Sequence, residues 1–320
     1  MSKVRWGILG PGIIAHDFAA DCKFVGNAEV VAVASRNLER AQAFAKQYGI
    51  PQAMGSYEEL YNSKDVDAIY VATPHTFHLE QSSRALESGK AVLCEKPITI
   101  NPAELEQLIS VANKTGNYLM EGMWTYFLPA IQKAQEWIDA GRIGEICHVK
   151  ADFGYAKEYD AENRLFSPKL AGGSLLDMGV YTVAMSWIFM KQVPQNMSVI
   201  SRNAPSGVDY DINIQFEYPN ASASLLTSFR CKLPNWTYII GEKGYIAIPE
   251  FWRAKECFYY EGEKMVEHYI DNRKGIGFEC EIRAASQDIL EGKTQSDIIP
   301  FECSRKLQEI MALVKENFTH

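Results

Sequence analysis

Val4-Arg5-Trp6-Gly7-Ile8-Leu9-Gly10-Pro11-Gly12-Ile13-Ile14-Ala15 decides the fold of this chain. A short apolar run of strand character stops at glycines, and a helical pattern starts at once. Ile14, Phe18 and Cys22 share one face at i, i+4 spacing, with Ala15 and Ala19 beside them. Strand, glycine turn and helix make the first half of a dinucleotide-binding unit, spelled here Gly10-x-Gly12-x-x-Ala15. Gly10 permits the turn, Gly12 leaves room for a pyrophosphate against the backbone, and Ala15 lets the helix sit close to the strand. Free N–H groups and the positive end of the helix dipole are then ready for the pyrophosphate, with Ile13 and Ile14 at the helix head counted in the cofactor-binding set. Glycine also marks ordinary turns. The position of this trio between strand and helix is what points to a nucleotide.

The bulk of the chain fits such a unit plus a second one. At 320 residues it exceeds what one small core accommodates, and 47% hydrophobic with 22% charged residues is ordinary for a soluble globular protein. A net charge of −8 argues against a nucleic-acid partner. No apolar run approaches the length of a membrane span, and the start lacks a signal peptide's apolar core, so no membrane role is expected. Seven dispersed cysteines without a C-x-x-C pair fit reduced thiols in the cytoplasm better than disulfides or a zinc framework.

Past the first helix, Glu29 to Arg36 is a second buried strand. At its end, where an Asp or Glu would read the ribose of NAD, stand Ser35 and Arg36. Without a carboxylate to repel it, a 2′-phosphate can be held by the Arg36 guanidinium and the Ser35 hydroxyl. NADP is therefore the expected cofactor, with NAD possible; the bland alternative is that Arg36 is a solvated surface residue.

Strands and helices then alternate. Asn37 caps a helix closed by Gly49, and Ser56-Tyr57-Glu58-Glu59 is a capping box. Asp67–Thr73 is a buried strand running into Pro74 and His75, Thr76–Ser88 is helical, and Ala91–Cys94 is a strand leading to Glu95-Lys96-Pro97. Asn101-Pro102-x-Glu104 starts another helix, and Tyr118–Gly122 closes the series. The pattern predicts an α/β chain with a Rossmann-type doubly wound parallel sheet over residues 1–123. From 124 the grammar changes. Helices are expected near 125–140 and 174–190. Tyr210, Ile212, Ile214, Phe216 and Tyr218 alternate with polar residues in a half-buried antiparallel strand, and Ala221–Arg230 returns with Ser222, Ser224, Leu226 and Ser228 outward. Helices near 279–291 and 304–317 close the chain. Residues 124–320 are thus read as an α+β domain with a large open, mainly antiparallel sheet.

Chemistry is carried by a few stretches. Glu95-Lys96-Pro97 stands at the carboxyl end of a parallel strand, where such sheets bind ligands; a lysine there can hydrogen-bond a substrate hydroxyl and lower the pKa of a nearby acid. The bland alternative is a surface lysine pairing with Glu95. In Gly172-Gly173-Ser174-Leu175-Leu176-Asp177-Met178-Gly179-Val180-Tyr181, Asp177 and Tyr181 are four apart and project from one helix face. The alternative is an N-capped helix with a buried tyrosine. His75-Thr76-Phe77-His78 lacks further ligands and is a poor metal site, so no metal is expected. Thr73, Pro74 and His75 fit the nicotinamide crevice, and His78 fits a hydrogen bond at the helix start. Trp124 and Phe127 are aromatic core by default, with Trp124 able to wall a substrate pocket.

Together these elements resemble the glucose–fructose oxidoreductase / inositol dehydrogenase (Gfo/Idh/MocA) family. They are Gly10-x-Gly12-x-x-Ala15, Ala72-Thr73-Pro74-His75-x-x-His78, Glu95-Lys96-Pro97, Gly172 through Tyr181, and Gly277-Phe278-Glu279. Met123-Trp124-Thr125-Tyr126-Phe127-Leu128-Pro129 and Glu281-Ile282-Arg283 to Gly292 are similar to the branch that includes dimeric dihydrodiol dehydrogenase and NADP-dependent D-xylose dehydrogenase. The resemblance implies an NADP-dependent dehydrogenase of a ring C–OH in a sugar, cyclic polyol or trans-dihydrodiol. It implies catalytic roles for Lys96, Asp177 and Tyr181, cofactor contacts from Thr73, Pro74, His75, His78, Glu95 and Lys96, and a substrate pocket with Trp124, Tyr126 and Phe127. It also implies a homodimer or homotetramer built through the C-terminal sheet. Tyr181 replaces the family's usual histidine, as in that branch, and Tyr126 stands where the branch carries arginine. The rival from another class is a non-catalytic NADP-binding regulator of the same fold; retention of Lys96 and Tyr181 favours the enzyme.

Overall fold

The structure, a computed structural model, describes residues 2–319. By its contacts the chain forms two compact units, residues 1–124 with 274–304, and residues 125–273 with 305–320.

In the first unit the apolar runs become strands. In order they are β1 (Val4–Leu9), α1 (Ile13–Cys22), β2 (Ala28–Ala34), α2 (Leu38–Tyr48), β3 (Gln52–Met54), α3 (Tyr57–Asn62), β4 (Ala68–Val71), α4 (His78–Glu87), β5 (Ala91–Glu95), α5 (Pro102–Thr115) and β6 (Leu119–Gly122). The six strands form one parallel sheet ordered β3-β2-β1-β4-β5-β6. This is the expected doubly wound sheet, and every residue of β4, β5 and β6 is buried, as a sheet covered on both faces requires. Connections reverse direction between β1 and β4, and open α/β sheets bind ligands at the carboxyl ends of such a switch point.

One face carries an aromatic column. Phe18 of α1 stacks on Tyr70 of β4 at 4.0 Å and meets Trp6 of β1 edge-on at 5.7 Å. Full burial of such side chains stabilises by about 1.5–3 kcal/mol each. The opposite face packs Ile69, Val71, Val92 and Cys94 against Leu105, Leu108 and Ile109 of α5.

The expected helix at 76–88 begins with a short 3-10 turn, His75–Phe77, before α4. The segment 274–304, which the sequence reading assigned to the second domain, packs with the first unit. Trp6 Nε1 donates to Ser286 Oγ at 2.9 Å, and the Tyr118 hydroxyl donates to Asp288 Oδ2 at 3.1 Å. Both are contacts between residues far apart in the chain, which periodicity cannot reveal.

The second unit runs through α6 (Pro129–Asp139), β7 (Ile146–Gly154), α7 (Val180–Met190), β8 (Asn196–Asn203), β9 (Asp209–Glu217), β10 (Ser222–Ser228), β11 (Trp236–Gly241), β12 (Tyr245–Pro249), β13 (Glu256–Glu261) and β14 (Lys264–Ile270). Then α8 (Phe278–Leu290) belongs to the first unit, α9 (Phe301–Glu316) begins in the first and continues into the second, and β15 (Phe318–Thr319) returns to the second sheet. That sheet has nine strands in the order β14-β13-β12-β11-β7-β10-β9-β8-β15, antiparallel except for β7 with β10 and β8 with β15. Ile212, Ile214 and Phe216 of β9 point into the core, as their alternation predicts. Ser228 departs from the expectation: it is 0% exposed, because it ends β10 where the chain folds inward.

Two further expectations change. The helix expected from 125 is a 3-10 turn at Trp124–Phe127 followed by α6, since Pro129 starts a new helix. The stretch Pro168–Met190, a 3-10 turn, a short break, a π-helical turn and then α7, is by length and composition apolar enough to cross a membrane; it is mostly buried, with α7 packed on β7 and β10 of its own unit. It is the inner helix of a sheet, apolar all round for that reason.

Candidate active site

The first unit gathers its site residues at the carboxyl ends of its strands. Gly10 ends β1 at φ +94°, and a Cβ there would lie 2.9 Å from Thr73 Cγ2, so both the turn and the approach of β4 require glycine. Gly12 precedes α1 with no side chain to cap it, and no acidic residue stands in the first turn. The N–H groups at the head of α1 therefore lack the usual side-chain acceptor, and an anion suits them. Ala15 is 0% exposed against the sheet, while Ile13 is 90% exposed at the helix head and Ile14 is half-buried.

At the end of β2, Ser35 is buried and its Oγ accepts from Asn37 N–H at 3.2 Å. Asn37 in turn caps α2 by accepting from Arg40 N–H at 3.0 Å. Arg36 is exposed and borders a cleft of about 220 Å³ with Tyr57, Thr73, Pro74, Phe77, Glu80 and Gln81. Thr73 Oγ1 donates to Gln81 Oε1 at 2.6 Å. An uncapped helix head for a pyrophosphate and an exposed guanidinium for a 2′-phosphate fit NADP. Ser35 has turned its hydroxyl into the loop, so Arg36 is the stronger candidate for the phosphate.

His78 differs from the cofactor-contact role. It is 0% exposed, with Nδ1 at 2.9 Å from the Pro97 carbonyl and Nε2 at 2.8 Å from the Thr73 carbonyl. It fastens the β4 loop to the loop after β5. His75 is 7% exposed and meets the His78 ring edge-on at 5.8 Å. Glu95 is buried and accepts from the Tyr70 hydroxyl. The Lys96–Pro97 peptide bond is cis.

Just beyond, Glu121 binds Ile98 N–H at 3.1 Å and the Ser304 hydroxyl at 2.6 Å. Burial pushes its carboxyl up, while those hydrogen bonds and the charge of Lys96 pull the other way. Glu121 is thus an electrostatic neighbour of Lys96 that sequence reading passed over as a strand end. Trp124, 5% exposed, packs on Phe278 of α8 at 4.5 Å.

In the second unit, Asp177 and Tyr181 sit where the chain passes from a π-helical turn, Leu175–Gly179, into α7. A plain α-helix was expected. The start of the turn is held by Asp209, whose Oδ2 accepts from Leu175 N–H at 2.7 Å and from Ser174 Oγ at 3.0 Å; burial pushes that carboxyl up. Gly172 lies flat on the preceding loop: a Cβ there would be 2.6 Å from the Leu165 carbonyl oxygen and 2.7 Å from that of Arg164. That contact brings Arg164 to Asp177, with both terminal nitrogens 3.1 Å from Asp177 Oδ1.

Tyr181 is 6% exposed and meets Phe153 of β7 edge-on at 5.6 Å. Phe153 stacks on Trp252 at 4.3 Å, and Tyr155 closes on Trp252 at 6.0 Å. Thr125 fixes this group by donating to the Trp252 carbonyl at 3.1 Å. Phe127 is 4% exposed, a core residue, whereas Tyr126 is half-buried. Arg164, Phe153 and Trp252 gave no sequence signal, because each acts through neighbours distant in the chain. No cluster of metal-ligating side chains occurs among the described residues.

Residues 4–123 match the oxidoreductase family described as an NAD-binding Rossmann fold, and residues 131–247 match the GFO/IDH/MocA C-terminal domain. The chain is 35% identical over 317 residues to trans-1,2-dihydrobenzene-1,2-diol dehydrogenase of Mus musculus, covering 96% of this chain and 95% of the relative. It is 36% identical to the Sus scrofa enzyme of the same name, covering 98% and 96%. A 3-ketoreductase from Actinomadura kijaniata, solved with NADP and TDP-benzene, superimposes with a TM-score of 0.89 at 25% identity, covering 99% and 98%.

Proposed function

Because the chain belongs to the GFO/IDH/MocA oxidoreductase family and is an NAD(P)-dependent dehydrogenase of CH–OH groups, we propose that it uses NADP and oxidises one hydroxyl of a diol on an apolar ring. The observation that carries this choice is the aromatic surround of Tyr181, built by Phe153, Trp252 and Tyr155. An unsaturated or saturated carbocycle suits such walls, and the Mus musculus and Sus scrofa dehydrogenases are named for a ring diol. Sugars and cyclic polyols are the competing substrates. A small molecule is in each case the partner of the site.

When bound, the nicotinamide supplies an acceptor for the hydride that leaves the carbinol carbon. Tyr181 takes the proton from the hydroxyl oxygen as the carbonyl forms. Lys96 stabilises the negative charge that builds on that oxygen. Asp177, held by Arg164, accepts a hydrogen bond from the neighbouring hydroxyl and so orients the ring. Arg36 binds the 2′-phosphate, and the head of α1 binds the pyrophosphate. In this reading residues 1–123 bind the cofactor and residues 124–320 supply the substrate and assembly functions.

The open face of the second sheet supports assembly. Trp236, Tyr238, Phe258 and His268 stack along it, with Phe258 and His268 at 4.2 Å, and Tyr245 and Tyr260 stack at 4.5 Å. A contiguous half-exposed aromatic face suits a second copy of this chain, as a homodimer or homotetramer. Seven free cysteines fit a reducing, cytoplasmic setting. The decisive experiment follows cofactor reduction with a trans-dihydrodiol, D-xylose and an inositol, each with NADP and with NAD. Fastest turnover of the dihydrodiol with NADP supports the reading; a sugar preferred over it overturns the choice of substrate.

A further inference from the structure

Gly277-Phe278-Glu279 has no part in the chemistry above, yet the connector that contains it is held by two buried carboxyl groups. Asp21, on the last turn of α1, is 3% exposed, and its Oδ2 accepts from Ile276, Gly277 and Phe278 N–H at 2.9, 3.0 and 3.0 Å. Glu279, also 3% exposed, accepts from Gly275 N–H through Oε1 at 2.7 Å and from Gly277 N–H through Oε2 at 2.9 Å. Gly275 closes the pair: a Cβ there would lie 2.4 Å from Asp21 Oδ1 and 2.5 Å from Glu279 Oε2, so these two oxygens face each other across one glycine. Two buried carboxyl groups held so near disfavour a double negative charge, which is relieved when one of them carries a proton. Asp21 Oδ1 accepts none of the amides and is the oxygen placed to carry it.

We propose that a proton shared between Asp21 and Glu279 makes a pH-sensitive clasp on residues 275–278, which sets Phe278 against Trp124. Burial first, then the hydrogen bond and charge of Glu279, push the Asp21 carboxyl up to about 6. Burial also works on Glu279, but the Asp21 hydrogen bond and the amides of Gly275 and Gly277 hold it below the ordinary glutamate value. The other ionisable side chains on the elements packed here are His16, Asp17 and Cys22 on α1, Lys23 just after it, Lys274 in the connector, Cys280, Glu281, Arg283 and Asp288 on α8, Glu29 on β2 and Arg5 on β1. Of these, Arg5 is tied to Asp67, and burial with the nearby charge of Glu95 pushes the Glu281 carboxyl up.

The sign follows from linkage. A carboxyl whose pKa rises on folding stabilises the fold fully below its unfolded value, and loses that contribution as pH climbs through the folded value. Hydrogen exchange of the intact protein at amides 275–278, corrected for the intrinsic rate, tests this without any substrate. Protection should fall by about tenfold between pH 5 and 8, the change expected for a carboxyl moved from about 3.9 to about 6. Asp21→Asn keeps an oxygen for three amides and offers an N–H to Glu279, so its protection should stay high and flat across that range. Glu279→Gln turns an N–H toward an amide donor and should lose protection at every pH. Wild-type protection flat with pH, or Asp21→Asn as unprotected as Glu279→Gln, would overturn the clasp.

Discussion

Arg164 grips Asp177 through a single oxygen, both of its terminal nitrogens standing 3.1 Å from Oδ1. The arginine side chain is 49% exposed and the aspartate 18%, so solvent weakens the pair, yet its forked geometry still fixes the carboxylate's orientation. Arg164→Ala should lower kcat/KM for the diol by about tenfold, within the reach of a charge-assisted hydrogen bond discounted for exposure. In an Asp177→Asn background the same change should cost almost nothing further. Additive losses in that double-mutant cycle would mean that Arg164 does not act through Asp177.

Tyr181→Phe keeps the ring's edge contact with Phe153 and removes only the hydroxyl. Fold and NADP affinity should survive, while kcat falls by about 10² to 10⁴ as expected for a positioned acid or base. Steady-state rates measured beside the melting temperature separate this from packing. Near-normal kcat with a lowered melting point would remove Tyr181 from the mechanism and leave Lys96 as the better base.

Arg36 is the exposed cation of the cleft at the end of β2. Arg36→Ala should weaken NADP binding by roughly ten- to a hundredfold, the worth of about 1.5–3 kcal/mol, and leave NAD nearly unchanged. Calorimetry with both cofactors decides the matter. Equal losses would mean that the guanidinium serves the adenosine as a whole.

Acid should weaken the fold through Asp67. Its carboxylate accepts from Arg5 N–H at 2.9 Å and pairs with the Arg5 guanidinium at 2.7 Å. Burial works against ionisation, but the Arg5 hydrogen bonds win and hold the carboxyl below its ordinary value. A carboxyl lowered on folding adds stability above its unfolded pKa and loses it as pH falls through the folded one. The melting temperature should therefore drop between about pH 5 and pH 3, and Asp67→Asn should flatten part of that drop while melting lower at pH 7.

Sedimentation at micromolar concentration should show a dimer or tetramer. Phe258→Asp, placed in the middle of the aromatic stack, should give monomers that remain folded by circular dichroism. A wild-type monomer would dismiss the assembly.

Much of this was legible before any coordinates. The parallel sheet follows from Gly10-x-Gly12-x-x-Ala15 and the strand–helix alternation, because buried strands and capped helices write themselves in short windows. The half-buried strand β9 likewise follows from its period of two. What escaped lies in contacts between distant residues. Only the structure shows why two glycines precede the helix of Asp177 and Tyr181: Gly172 lies against the carbonyls of Arg164 and Leu165, and Gly173, at φ +122°, against Asp209. His78 reads as a hydrogen-bonding residue at a helix start, and only the structure shows that its two partners are the Thr73 and Pro97 carbonyls of two separate loops. Asp209 looked like an outward residue of an alternating strand and holds the π-turn instead.

The order of the chain has a consequence for how this protein is made. Its first unit comprises residues 1–124 and 274–304, so the polypeptide leaves that unit after residue 124 and returns only after residue 273. During synthesis, the sheet face that carries Trp6 and Tyr118 waits for Ser286 and Asp288 until most of the second unit has left the ribosome. A gene fragment stopping near residue 124 would expose that face permanently. The dinucleotide-binding half is accordingly not a portable module, and a fusion or truncation has to carry α8 with it to yield a soluble product.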